Sequence, residues 1–114
     1  MFAPAFARWV NGEHNDYSES FAAFRTRCRQ ALAALLDGTP SSGATWVFTS
    51  GGPISAIVQD ALAIANERIA ELTFALVNTG VAKLRCRPGR VQAATINQYA
   101  HLEQAGRSEW ITYR

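Results

Sequence analysis

The chain has 114 residues, a length that suits one domain over 1–114 and permits a hydrophobic core without disulfide or metal staples. Apolar residues make up 48% and charged residues 18%, a globular balance and not a disordered one. The formal net charge of +2, carried by scattered arginines, argues against a nucleic-acid partner but leaves small anionic ligands open, since one or two arginines suffice for those. The two cysteines, Cys28 and Cys86, form no paired motif, so neither a metal nor a redox site is expected and both read as buried free thiols. The first residues, MFAPAFARWVNGEH, lack the basic start and long apolar run of a signal peptide. No segment reaches the ~18 apolar residues of a membrane span. A reducing cytoplasm is the expected setting, with no cofactor.

In chain order, Pro4 to Val10 reads as a short helix and NGEHND as a loop. A strong helix follows. Asp16 is its expected N-cap with Glu19 at the third helical position. Phe21, Phe24, Cys28, Ala31, Leu32 and Leu35 recur at helical spacing, with Arg25, Arg29 and Gln30 on the other side. Gly38 and Pro40 end it. After the linker GTPSSG, the run ATWVFTS (44–50) is β-branched and aromatic and reads as a buried strand. Pro53 suits the first position of the next helix, whose apolar face is Ile54, Ile57, Val58, Ala61, Leu62 and Ala65. NERIAEL reads as a short helix or turn. From Thr73 the pattern suits strand, through Leu84 and Cys86. The Pro-Gly pair of RPGR turns the chain, and VQAATI returns as the second strand of a hairpin. NQYAHLEQ is a short polar helix, and the tail EWITYR is extended. The expected class is α/β with a small mixed sheet.

The stretch Thr49-Ser50-Gly51-Gly52-Pro53 joins the expected strand to a helix. A helix start carries unpaired N–H groups and about half a positive charge. Glycines let an anion approach that backbone, and the Thr49 and Ser50 hydroxyls can donate to it. In open α/β sheets ligands gather beyond the carboxyl ends of strands, where this turn would lie. A tight turn needing glycine dihedrals explains the same residues, so both readings stand on the residues alone. The pattern is neither a P-loop nor a G-x-S-x-G elbow.

WVFTSGGPISAIVQDAL resembles the second motif of the histidine phosphatase superfamily, which includes the phosphoglycerate mutases. There a strand ends in a Ser-His-Gly-Gly or Thr-Ser-Gly-Gly turn before a helix. SESFAAFRTRC resembles the family's Glu-Ser segment, with Arg27 at the expected arginine. LVNTGVAKL resembles the Asn-containing strand, and INQYAHLE with the WITYR ending resembles the C-terminal segment. The order and spacing of these motifs cover nearly the whole chain and match the C-terminal half of the family.

The resemblance implies a partial three-layer α/β/α phosphoglycerate mutase-like fold. It implies a phosphate cradle at Thr49, Ser50, Gly51 and Gly52, with Arg27 as a further candidate. Ser50 stands where the family carries its second catalytic histidine. The family's nucleophile lies in an Arg-His-Gly motif that does not occur here. The two histidines, His14 in GEHND and His101 in YAHLE, read as a loop residue and a structural residue. No catalytic residue is therefore assigned. The expected function is a truncated family member without phosphatase activity of its own, or a non-catalytic module that binds a phosphorylated small molecule or a protein. Loss of the family's first strand would leave ATWVFTS unpaired, so a homodimer is expected, through strand pairing or exchange of N-terminal helices.

Overall fold

A computed structural model describes residues 2–113. Helix α1 spans Phe2–Asn11, α2 Phe21–Asp37, α3 Gly51–Leu62 and α4 Ile69–Ala75. Strands β1 (Val81–Arg87) and β2 (Arg90–Gln98) form an antiparallel hairpin, and α5 (Ala100–Gln104) follows. The class is mixed α/β, as expected, and consistent with a partial phosphoglycerate mutase-like fold. Among the described residues no helix is long and apolar enough to cross a membrane.

Aromatic packing joins α1, α2 and α4. Trp9 meets Phe21 and Phe24 at centroid distances of 5.1 and 5.4 Å, and Phe6 meets Phe74 at 5.4 Å. Val10, Phe21 and Ile69 form the buried centre of this cluster. Tilted and edge-on ring pairs add about 0.5–1.5 kcal/mol each beyond burial. The Trp9 indole N–H donates to the Glu19 carbonyl at 2.8 Å, which fastens the chain before α2 to α1.

That fastening places the start of α2 later than the sequence suggests. The N-cap is Ser20, whose hydroxyl accepts from the Ala23 N–H at 3.1 Å. Asp16 instead pairs with Arg8 at 2.9 Å. The guanidinium of Arg8 holds the Asp16 carboxyl below its ordinary value. Phe21 and Cys28 are buried as expected, while Ala31 and Leu35 are exposed and Leu32 and Leu36 turn inward. Burial pushes the Cys28 thiol up. Both cysteines are free, and Cys86 is only half-buried.

Helix α3 lies between α2 and β2 and touches α4. It begins at Gly51, so Pro53 is its third residue, still among the positions whose N–H has no helical acceptor. Its buried residues are Ser55, Ala56, Val58 and Gln59. Leu62 is exposed, unlike the expected stripe. Arg25 and Arg29 also depart from expectation: both reach across from α2 to the Asp60 carboxylate. Arg29 adds a second bond to Asp60 at 3.2 Å. Burial pushes the Asp60 carboxyl up, but the hydrogen bonds from Arg29 and Arg25 outweigh it, leaving the group below its ordinary value. The buried Gln59 closes the helix end. Its side chain donates to the Ile64 carbonyl at 3.1 Å and to Asn66 Oδ1 at 2.9 Å, and its backbone oxygen accepts from the Ile64 N–H at 3.0 Å.

The hairpin turns at Pro88-Gly89, where Gly89 has φ +71°, the signature of a type II turn. Register shifts lie near Lys83. Asn97, with φ +56°, accepts from the Val77 N–H and donates to the Ala75 carbonyl, both at 2.8 Å. It thereby ties β2 to the end of α4. Asn78 ties the tail: it donates to the Trp110 carbonyl at 3.0 Å and accepts from the Thr112 N–H at 2.9 Å. Val77 bridges to Tyr113.

The largest departure concerns residues 44–50. They form no strand, and residues 41–50 are all exposed. A strand is stabilised by ladder hydrogen bonds to a neighbour, and among the described residues none lies beside this segment. The radius of gyration is 15.3 Å, larger than the roughly 13 Å of a compact chain near this length.

Two outcomes follow from these contacts. Asp60→Asn removes the anion between two guanidiniums, one of them mostly buried, and is expected to cost about 1–3 kcal/mol in urea unfolding. Because the folded-state Asp60 sits low, its contribution is fully present above the ordinary aspartate range. It is lost as pH falls through the folded value, so the wild-type and Asn variant stabilities should converge in acid. Gly80→Ala would place a Cβ 2.8 Å from Asn97 Oδ1 and 2.9 Å from the Val77 carbonyl. It should destabilise by about 1–3 kcal/mol, read in the same assay.

Candidate functional site

The expected cradle residues fall together at the start of α3. Ser50 is the N-cap, in extended conformation (φ −96°, ψ 172°), and its side chain makes no cap hydrogen bond. The hydroxyl is therefore not consumed by the helix. The first helical bond at this end runs from the Ile54 N–H to the Ser50 carbonyl at 3.4 Å. The N–H groups of Gly51 and Gly52 precede it and have no acceptor within the helix. Pro53 contributes none. Thr49 is exposed, and the two glycines are half-buried.

Neither glycine has a positive φ, so the turn does not depend on glycine dihedrals. The two differ in packing. A Cβ on Gly52 would lie 3.4 Å from Phe24 Cζ, a tight contact that the ring would have to relieve. A Cβ on Gly51 would lie 3.5 Å from Leu76 Cδ1, an ordinary contact. Behind them Ser55 is buried, and its hydroxyl donates to the Gly51 carbonyl at 2.8 Å, which steadies the first turn.

Arg27 joins this site through Phe24. Its guanidinium lies over the Phe24 ring at 5.3 Å from the centroid, and the edge of the same ring abuts Gly52. The guanidinium is already engaged. It donates to both Glu19 oxygens, Nε to Oε1 at 2.8 Å and Nη2 to Oε2 at 2.7 Å. That fork holds the Glu19 carboxyl below its ordinary value. Glu19 is thus the partner of Arg27 and not a cap residue. The Phe24 bridge between Arg27 and Gly52 is invisible to spacing along the chain, since it joins two helices.

The other candidates lie elsewhere. His14 is exposed in the loop after α1. His101 is exposed on α5, with Nε2 bonded to the Thr79 hydroxyl at 2.8 Å. Trp9 belongs to the aromatic cluster, whereas Trp46 is exposed, and Trp110 is exposed with Arg107 stacked 4.6 Å from its centroid. Arg85, Arg87 and Arg90 stand on the exposed face of the hairpin.

What this arrangement can do is bounded by its groups. Two backbone donors, a free hydroxyl and a helix dipole can hold an anionic oxygen. They cannot accept a phosphoryl group in the manner of an imidazole. No curated protein and no solved structure matches the chain. The family model for the histidine phosphatase superfamily (branch 1) matches residues 1–99. That match covers most of the sequence, and the chain belongs to the histidine phosphatase superfamily.

Proposed function

We propose that this chain is a truncated family member that carries the phosphate-cradling half of a histidine phosphatase site and does not turn over phosphomonoesters by itself. The observation that carries this reading is in the sequence: the 114 residues contain no Arg-His-Gly. Transfer through phosphohistidine needs a nitrogen that attacks phosphorus as the alkoxide leaves, with cations gathered around the phosphoryl oxygens. At the start of α3 the position of the family's second catalytic histidine is Ser50, a donor without charge.

The cradle itself, Thr49, Ser50, Gly51 and Gly52, is proposed to bind inorganic phosphate or a phosphorylated small molecule. The N–H groups of Gly51 and Gly52, at the first two positions of α3, have no acceptor within the helix, and this supports the reading. Arg27 would join only by leaving Glu19, so it serves the site chiefly by holding Phe24 against Gly52. The free thiols fit a cytoplasmic protein.

Hydrolysis of p-nitrophenyl phosphate by the purified chain is expected at background. A wild-type rate above background would overturn the reading, and its persistence in Ser50→Ala and His14→Ala would show that the chemistry uses other groups. Binding is tested separately by thermal unfolding in phosphate. At a hundred times Kd the chain should gain about 2.7 kcal/mol, a shift on the order of 10 °C. Ser50→Ala should reduce that shift while leaving the ligand-free transition nearly in place, since the Ser50 side chain makes no cap hydrogen bond. No shift in the wild-type chain at tens of millimolar phosphate would remove the cradle.

A further inference from the structure

Arg8, Arg25, Arg27, Arg29 and Arg68 each meet a carboxylate. Lys83, Arg85, Arg87 and Arg90 differ. All four are exposed, and among the described residues no ion pair engages any of them. They are also neighbours. Exposure alternates along β1, so Lys83, Arg85 and Arg87 stand on one face at a repeat of roughly 6.6–6.8 Å. Cross-strand pairing sets Arg90 opposite Arg87 and Gln92 opposite Arg85 on that same face. Leu84, Cys86 and Val91, on the other face, are half-buried, and β2 packs against α3. Like charges directly opposite destabilise a ribbon, so the Arg87–Arg90 pair costs the free hairpin stability. The hairpin holds four of the eleven basic residues and none of the nine acidic ones, which leaves seven bases against nine acids elsewhere.

We propose that this face of the hairpin docks an acidic protein segment in extended conformation. Its alternate Asp or Glu side chains lie against Lys83, Arg85 and Arg87, and the one nearest the turn sits between Arg87 and Arg90. An extended segment repeats its side chains on one face at the spacing of β1, so the charges match one to one. Each guanidinium can donate two parallel bonds to a carboxylate. Three observations select this partner. A helix layer packed on the face would need apolar residues there, and the face carries cations instead. No aromatic side chain stands among them to stack a base, and Arg87, Pro88, Gly89 and Arg90 offer no large apolar side chain to a bilayer. Beyond the hairpin acids outnumber bases, which disfavours a long polyanion or an anionic membrane but not a short segment that touches the hairpin alone. The repulsion between Arg87 and Arg90 is then relieved on binding, when a carboxylate comes between them.

The test is fluorescence anisotropy of a labelled peptide of alternating glutamate and threonine, titrated with the whole purified chain in phosphate-free buffer of low ionic strength. Saturable binding is expected, weakening as salt is added. A peptide of the same composition with its glutamates in one block places fewer carboxylates on one face and should bind roughly threefold more weakly or worse. Arg85→Glu turns an attraction into a repulsion and should lower affinity about fivefold or more, with the thermal transition retained because the side chain is exposed. Arg87→Glu separates docking from stability. It sets opposite charges across the ribbon at Arg90, so it should raise the thermal transition by about 1–5 °C while lowering peptide affinity. A purely structural role for Arg87 would not pair a gain in stability with a loss of binding. Absence of peptide binding overturns the proposal, as does binding indifferent to Arg85→Glu. Equal affinity for the alternating and block peptides overturns the extended arrangement. Tighter binding of a thymidine oligonucleotide, or of vesicles containing phosphatidylserine, lost in Arg85→Glu, overturns the choice of partner. The phosphate-induced thermal shift belongs to the start of α3 and should persist in Arg85→Glu, so the failure of either reading is distinguishable from the failure of the other.

Discussion

The ion pair between α2 and the Asp60 carboxylate governs the architecture. Asp60 stands near the end of α3, where two arginines one helical turn apart on α2 converge on it. Taking a carboxylate out of water is unfavourable unless its lone pairs are met, and two guanidiniums meet them. The consequence is positional. Arg25 also donates to Asn66 Oδ1 at 3.3 Å, the atom that receives Gln59, so the same network fixes the chain leaving α3. One polar cluster thus sets the rotation of α3 against α2 and the start of the segment leading to α4. Everything at the other end of α3 inherits that rotation.

At that other end the inheritance becomes a candidate site. With α3 turned as Asp60 requires, Gly52 meets Phe24 and Gly51 meets Leu76. Phe24 in turn supports the Arg27 guanidinium on its face and Trp9 at its side. The donors at the start of α3 are therefore backed by packed side chains and by the Ser55 hydroxyl, while Thr49 and Ser50 face solvent. A helix terminus supported in this way needs little rearrangement to meet an anion. The two histidines stand apart from it, in the loop after α1 and on α5.

Much of this was legible in the sequence. The Pro-Gly turn, the strand returning from it and a helix at Gly-Gly follow from local chemistry, but the strand pattern read from Thr73 begins only at Val81, because Thr73 to Ala75 belong to α4. The family resemblance, carried by the order of four short motifs, agrees with the family match. What was not legible depends on contacts between elements. Asp16 satisfies every local rule for an N-cap, but Arg8 claims it, and Trp9 holds the Glu19 carbonyl so that the helix waits for Ser20. Arg25 reads as a solvated residue until α3 places Asp60 opposite it. The roles of Phe24, Asn78 and Asn97 are likewise between elements, and the only sequence signal for the last two was an asparagine interrupting an apolar pattern.

ATWVFTS is a different kind of departure. Its composition describes a strand covered on both faces, because Trp46, Val47 and Phe48 are consecutive and would point alternately to opposite sides. Local propensity can favour such a strand but cannot create it, since the ladder bonds belong to a neighbour. The segment runs directly into Thr49, Ser50 and Gly51. A strand paired with it would set the direction in which those two hydroxyls point at the start of α3. Pairing and anion binding would then be linked through three consecutive residues, and the sign of that linkage depends on whether the paired geometry turns the Thr49 and Ser50 hydroxyls toward the Gly51 and Gly52 N–H groups or away from them.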